Sequence, residues 1–178
     1  GFEFSNDIFG GSIPNQFIPA VEKGVRQVLL EGCVAGYSIQ DLKVSVYDGK
    51  HHPVDSKEVA FVTAGRRAFQ DAIGKAKPVL LEPIVNVEIT VPNANMGDIT
   101  GDLSGKRGRV QGADILPGDM AVIKAQVPLA EMSNYQSQLK SVTGGQGSFT
   151  MELSHYGAAP ANIQQQIVAQ YKPKEEED

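Results

Sequence analysis

The sequence predicts an α+β protein in two parts, and three observations carry that expectation. Residues 13–33 and 55–76 repeat apolar side chains at helical spacing. Several other stretches alternate apolar and polar residues, the period of a half-buried strand. Lys77-Pro78 then interrupts the chain, because the residue before a proline resists helical geometry. The parts expected are residues 1–77 and 78–178.

Each element of the first part follows from its own residues. Gly1-Phe2-Glu3-Phe4 reads as the end of a strand with no start methionine before it, so the chain is expected to be a piece of something longer. Ile13, Phe17, Ile18, Val21, Val25, Val28 and Leu29 mark one stripe of an amphipathic helix. Pro14 suits a first turn, but Pro19 is awkward in the interior of a helix begun there, which moves the expected start to about Ile18. Gly32 and Gly36 end that helix. Leu42, Val44 and Val46 alternate with Lys43, Ser45 and Tyr47 in a strand. A polar loop, Asp48-Gly49-Lys50-His51-His52-Pro53, leads to Asp55-Ser56-Lys57-Glu58, which fits a capping box with Asp55 as N-cap. The helix it would start carries Val59, Val62, Phe69, Ile73 and Ala76.

The second part has a clearer rhythm. Val85, Val87, Ile89 and Val91 alternate in a strand, and Met96, Ile99 and Leu103 follow in a short helix. Residues 109–115 and 121–127 form two further strands around the turn Pro117-Gly118-Asp119. Leu129, Met132, Tyr135 and Leu139 mark a helix, and Phe149, Met151 and Leu153 a last strand. The order β-α-β-β-α-β is that of a ferredoxin-like domain. A final helix with Ile163, Ile167, Val168 and Tyr171 inward precedes a charged tail.

Composition narrows the function. The 178 residues carry a formal charge of −5, with 41% hydrophobic and 21% charged side chains, ordinary values for a globular protein. The one cysteine, Cys33, excludes an intramolecular disulfide framework and a cysteine-rich zinc site. No apolar run reaches the ~18–20 residues of a membrane helix. The acidic total argues against indiscriminate binding of nucleic acid. It conceals a basic segment, however: residues 50–77 hold Lys50, Lys57, Arg66, Arg67, Lys75 and Lys77 against Asp55, Glu58 and Asp71.

Catalytic signatures are missing from the sequence. It has neither a phosphate loop nor a dinucleotide fingerprint, and no serine sits in a nucleophile elbow. His51 and His52 are neighbours, so on regular backbone they point apart and do not share a metal. With Asp48 and Asp55 they could form a loop metal site or a hydrolytic pair, although no nucleophile accompanies them. His155 reads as a strand-end histidine with a structural hydrogen bond, and Cys33 as a small packed hydrophobe. No catalytic or metal-binding residue is therefore assigned.

Two ordered sets of motifs say more. One is Phe9-Gly10-Gly11-Ser12-Ile13-Pro14, followed by residues 47–61 from Tyr47-Asp48-Gly49 to Val59-Ala60-Phe61. The other begins at Pro78-Val79-Leu80-Leu81-Glu82-Pro83. It continues through Met96-Gly97-Asp98, Gly101-Asp102-Leu103, Lys106-Arg107-Gly108, Val127-Pro128-Leu129-Ala130-Glu131-Met132, Lys140-Ser141-Val142-Thr143 and His155-Tyr156. In this order they closely resemble the C-terminal part of bacterial translation elongation factor G, from Gly1 to about Ala169. The resemblance implies a ribosomal-protein-like α/β domain over residues 1–77, incomplete at its N-terminus, and the ferredoxin-like domain over 78–178.

That resemblance also implies a function. Family members are five-domain GTPases that move tRNA and mRNA through the ribosome. GTP and magnesium belong to a domain outside this chain, so the chain itself is expected to be no enzyme and to hold no cofactor. Its implied partners are the ribosome, with ribosomal RNA and the tRNA–mRNA of the decoding centre, and upstream domains of the same factor. A cytoplasmic monomer without membrane contact is expected. His52 falls on the family's tip histidine. Asp48, Gly49, Lys50, His51, His52, Asp55 and Ser56 are the implied RNA-contact loop, and Gly10 and Gly11 a second loop. A helix N-terminus near Ser56 would add partial positive charge beside donors suited to phosphates and 2′-hydroxyls. Lys106, Arg107 and Arg109 form a basic turn with no acidic residue between Ser104 and Ala113, the implied large-subunit contact.

Departures from the family pattern keep other readings open. His51-His52-Pro53 replaces the usual Tyr-His-Asp, Lys57 stands between Ser56 and Glu58 where serine is usual, and Ser133-Asn134-Tyr135 replaces Phe-Gly-Tyr. Gln146 stands where the family has an arginine, which removes one phosphate fork. These changes suit a divergent paralogue acting in ribosome recycling or ribosome protection. A ferredoxin-like small-ligand module is the alternative from another class.

Overall fold

Phe2, Phe4, Leu42, Val44 and Val46 share one face of a small parallel sheet made by β1 (Phe2–Asn6) and β2 (Leu42–Val46), with Phe2 opposite Leu42 and Asn6 opposite Val46. The other face is polar: Lys43 Nζ donates to Glu3 Oε1 at 2.7 Å, and the Ser5 and Ser45 hydroxyls meet at 2.7 Å. The structure is a computed structural model describing residues 1–54 and 56–172.

Two helices cover the apolar face. In α1 (Ile18–Glu31) Pro19 falls in the first turn, where no helical N–H is lost, and Gly32 caps the end at φ 78°. Its buried stripe includes Ile18, Val21, Val25, Val28 and Leu29, as the spacing predicts. α2 (Glu58–Lys75) buries Phe61 and Phe69, and Phe61 stacks on Phe17 with ring centroids 4.4 Å apart. The helices approach closely because both carry glycine at the crossing. A Cβ on Gly24 would stand 2.1 Å from Val62 O, and one on Gly65 2.6 Å from Val21 O.

The start of α2 differs from the expected capping box. Lys57 is the N-cap and Glu58 the first helical residue, so Glu58 cannot act from the third position. The expected cap, Asp55, lies outside the described residues. Beyond α2, Lys77 takes φ 54° before Pro78, a left-handed turn rather than further helix.

The expected β-α-β-β-α-β order follows. β3 (Leu81–Pro92), β4 (Arg109–Leu116), β5 (Met120–Pro128) and β6 (Ser148–Ala158) form an antiparallel sheet in the order β4-β5-β3-β6. α3 (Met96–Gly105) and α4 (Tyr135–Val142) pack on one face. Val85, Val87, Ile89 and Val91 of β3 and Ile123, Ala125 and Val127 of β5 meet Ile99, Leu103, Tyr135 and Leu139 there. The helix expected from Leu129 is divided. Leu129–Met132 makes a short 3-10 turn, and Asn134 at φ 61° separates it from α4. Strand β6 runs past Leu153, because Ala158 still pairs with Leu81.

α5 (Ala161–Gln170) closes the described chain. Ile163 and Ile167 are half-buried, but Val168 and Tyr171 are 46% and 42% exposed and do not face inward as their spacing suggests. The chain separates into two compact units, Gly1–Leu80 with the segment from Pro160, and Leu81–Ala159. α5 therefore groups with the first unit and not with the ferredoxin-like one. Gln164 ties it there: its Oε1 accepts the Leu80 N–H at 3.0 Å, and its Nε2 donates to Pro78 O at 3.2 Å.

Candidate nucleic-acid interface

Strand β2 ends at Val46, and the backbone must then turn into α2 through residues 47–57. Gly49 leaves room in that turn for the Ile13 side chain, since a Cβ there would stand 2.3 Å from it and would have to displace it. Asp48 Oδ1 accepts the Gly49 N–H at 2.7 Å and stabilises the bend. His52 and Ser56 close a second turn: the His52 N–H donates to Ser56 Oγ at 2.9 Å, and the Ser56 N–H to His52 O at 3.1 Å. Ser56 thus braces the loop instead of capping α2.

The two histidines have different surroundings. His51 is half-buried, with Nδ1 3.3 Å from Ser12 O, a contact that places the ring proton on Nδ1 because a carbonyl only accepts. Lys50 and His52 are exposed. The structure therefore brings together Asp48, Gly49, Lys50, His51, His52 and Ser56, with Lys50 and the His52 ring facing solvent. Asp55 lies outside the described residues. Ser12 has no role legible in the sequence beyond its place in a motif; its carbonyl joins the second loop to the first.

That second loop is built between two anchors. Asn6 Oδ1 accepts the Ile8 N–H at 3.1 Å, and Ile8 packs on the cluster of Ile13, Ile18, Val21 and Phe61. Ile13 is itself 6% exposed. Between them Gly10 and Gly11 take φ 72° and 70°, left-handed values that favour glycine. An open cleft of 650 Å³, lined by residues that include Val44, Val46, Phe61 and Phe69, lies beside this region.

Within the basic turn of the second unit, Arg107 is neutralised in space by residues distant in sequence. Arg107 binds Glu82 through both nitrogens of its fork, at 2.6 and 3.0 Å, and its Nε donates to Glu131 Oε1 at 2.9 Å. Those carboxylates raise the Arg107 pKa above its ordinary value, so it stays charged. Lys106 Nζ lies 3.5 Å from Asp102 Oδ1. Arg109 is exposed and makes no ion pair among the described residues. Glu82 and Glu131 stand 25 and 24 residues from Arg107, too far for local spacing to reveal them.

Among the described residues no group of three His, Cys, Asp or Glu side chains could hold a metal ion. His155 is exposed, its Nδ1 3.0 Å from Ser154 Oγ, and it sits within β6 opposite Ile84 instead of at a strand end. Cys33 is exposed rather than packed.

Comparison with known proteins finds matches to both halves of the chain. Residues 1–77 match the family model for elongation factor G, domain IV, and residues 79–167 that for the elongation factor G C-terminus. The chain belongs to the elongation factor G family. An elongation factor G from Aquifex pyrophilus is 48% identical over 170 residues, which is 96% of this chain and 24% of that protein. A crystal structure of a Thermus thermophilus protein superposes with TM-score 0.74 at 38% identity, over 96% of this chain and 26% of that one. The chain thus spans about a quarter of the length of each of these two proteins. The mixed α/β fold expected from the sequence, ending in the ferredoxin-like arrangement, is the fold observed. No helix of the described residues is long and apolar enough to cross a membrane.

Proposed function

We propose that this chain is the ribosome-binding C-terminal part of a translational GTPase of the elongation factor G type, promoting movement of tRNA and mRNA during protein synthesis. The observation that carries this reading is the match of both halves, in order, to the two C-terminal parts of that family. The loop geometry supports it. His52 stands exposed on a loop braced by Ser56, between a strand end and the positive end of an 18-residue helix. Donors so placed suit phosphate oxygens and 2′-hydroxyls of a tRNA–mRNA duplex. His51 acts differently, holding the two loops together from within.

In the basic turn of the second unit, Arg109 is the cation left available to ribosomal RNA. Arg107 shapes the turn through Glu82 and Glu131. GTP hydrolysis, and the GTP and magnesium it needs, belong to the upstream part of the factor, and the whole works in the cytoplasm. The test is tRNA movement on ribosomes with His52→Ala in the full-length factor. Loss of one hydrogen bond to a charged group predicts a rate lower by about tenfold or more. A normal rate would overturn the tip assignment. Pro53 and Gln146, which depart from the family pattern, favour a second reading, a divergent paralogue acting in ribosome recycling or ribosome protection. A ribosome-splitting assay on the same protein separates the two.

A further inference from the structure

Phe9 stands at 94% exposure, the most exposed large apolar side chain among the described residues. This exposure is built into the loop. Ile8 before it is fixed by the Asn6 side chain and packs on the core, and Ile13 after it is buried. Phe9 is thus the residue that the two anchors leave outside. A Cβ placed on Gly10 or Gly11 beside it would meet no heavy atom within 4 Å, so the chain next to Phe9 is uncrowded as well. The same loop is tied to the histidine loop by the contact between His51 Nδ1 and Ser12 O.

We propose that Phe9 is a stacking platform for a nucleobase of the RNA bound at this tip. The inference rests on the tRNA–mRNA reading given above and adds a residue to it. Its chemistry selects RNA over an apolar protein surface. The ring is followed by two glycines, and the loop tied to it carries Lys50 and His52 in the open. One flat π face on a loop joined to another that carries cationic and hydrogen-bonding groups is a combination that binds unpaired or terminal bases. Asp7, the nearby acid, is engaged by the Ser5 hydroxyl at 3.2 Å.

The experiment compares Phe9→Leu, Phe9→Tyr and His52→Ala in the full-length factor, measuring tRNA movement on ribosomes and the urea midpoint of each variant. Leucine keeps the apolar bulk and removes the π face; tyrosine keeps the face. Stacking predicts movement about tenfold slower for Phe9→Leu, a near-normal rate for Phe9→Tyr, and an unchanged midpoint for both. A normal rate for Phe9→Leu beside a slow His52→Ala overturns the stacking role and leaves the tip reading in place. Equal slowing by leucine and tyrosine also overturns it. Normal rates for all three variants remove the tip reading, and the stacking role falls with it.

Discussion

The hydroxyl of Tyr135 is buried among apolar side chains with no hydrogen-bond partner, in a residue only 1% exposed. Burial, with a smaller contribution from the nearby Asp102 carboxylate, pushes its pKa up to about 12. The unfolded chain would release this proton near pH 10. Between pH 10 and about 12 the unfolded state therefore binds fewer protons, and stability falls as pH rises. Below pH 10 both states hold the proton and Tyr135 adds no slope. Tyr135→Phe should flatten this decline and leave stability at pH 7 within about 1 kcal/mol, since it removes an unpaired buried hydroxyl. Urea midpoints of the two proteins at pH 9–12 test this, and identical slopes would refute it. Arg107 is legible as a charge but not as a clamp: the sequence shows a basic turn, whereas Glu82 and Glu131 reach it only through the fold.

At the scale of elements, hydrophobic period reveals α1, β2, β3, β5 and the helical face of α4 directly. Boundaries set by a single backbone torsion are less visible. Asn134 in the left-handed region splits one expected helix into two pieces, and nothing in apolar spacing signals that torsion. The start of α2 differs from expectation for a related reason, because Ser56 bonds back to His52 and leaves the capping position to Lys57. The glycines of the α1–α2 crossing are also silent, since a missing side chain leaves no mark on hydrophobic period. Alanine at Gly24 raises helix propensity by about 1 kcal/mol, but its methyl would run into Val62 O. Overpacking outweighs that gain, so Gly24→Ala should lower stability by about 2 kcal/mol, read as a fall in urea midpoint. A midpoint that rises instead would show that the helices can move apart freely.

Across the whole molecule, ordered motifs carry what composition cannot. The net charge of −5 points away from RNA, while the cations of residues 50–57 lie around an exposed loop. The attachment of α5 is not legible in the sequence because its apolar stripe fits any partner surface. Its place is decided by Gln164, a polar residue bridging Pro78 and Leu80. Ending the chain at Ala159 should therefore lower amide protection within Gly1–Leu80 and leave β3–β6 as protected as before. Hydrogen exchange on the shortened chain measures both, and protection lost equally in both units would contradict the grouping of α5 with the first.

That grouping orders events during synthesis. Leu81–Ala159 is a continuous stretch and can acquire its full set of strands and helices as soon as it leaves the exit tunnel. Gly1–Leu80 emerges earlier but lacks its last helix until the residues after Pro160 have followed. The unit translated first is thus completed last, and its half-built surface must stay free of wrong partners while the later one folds.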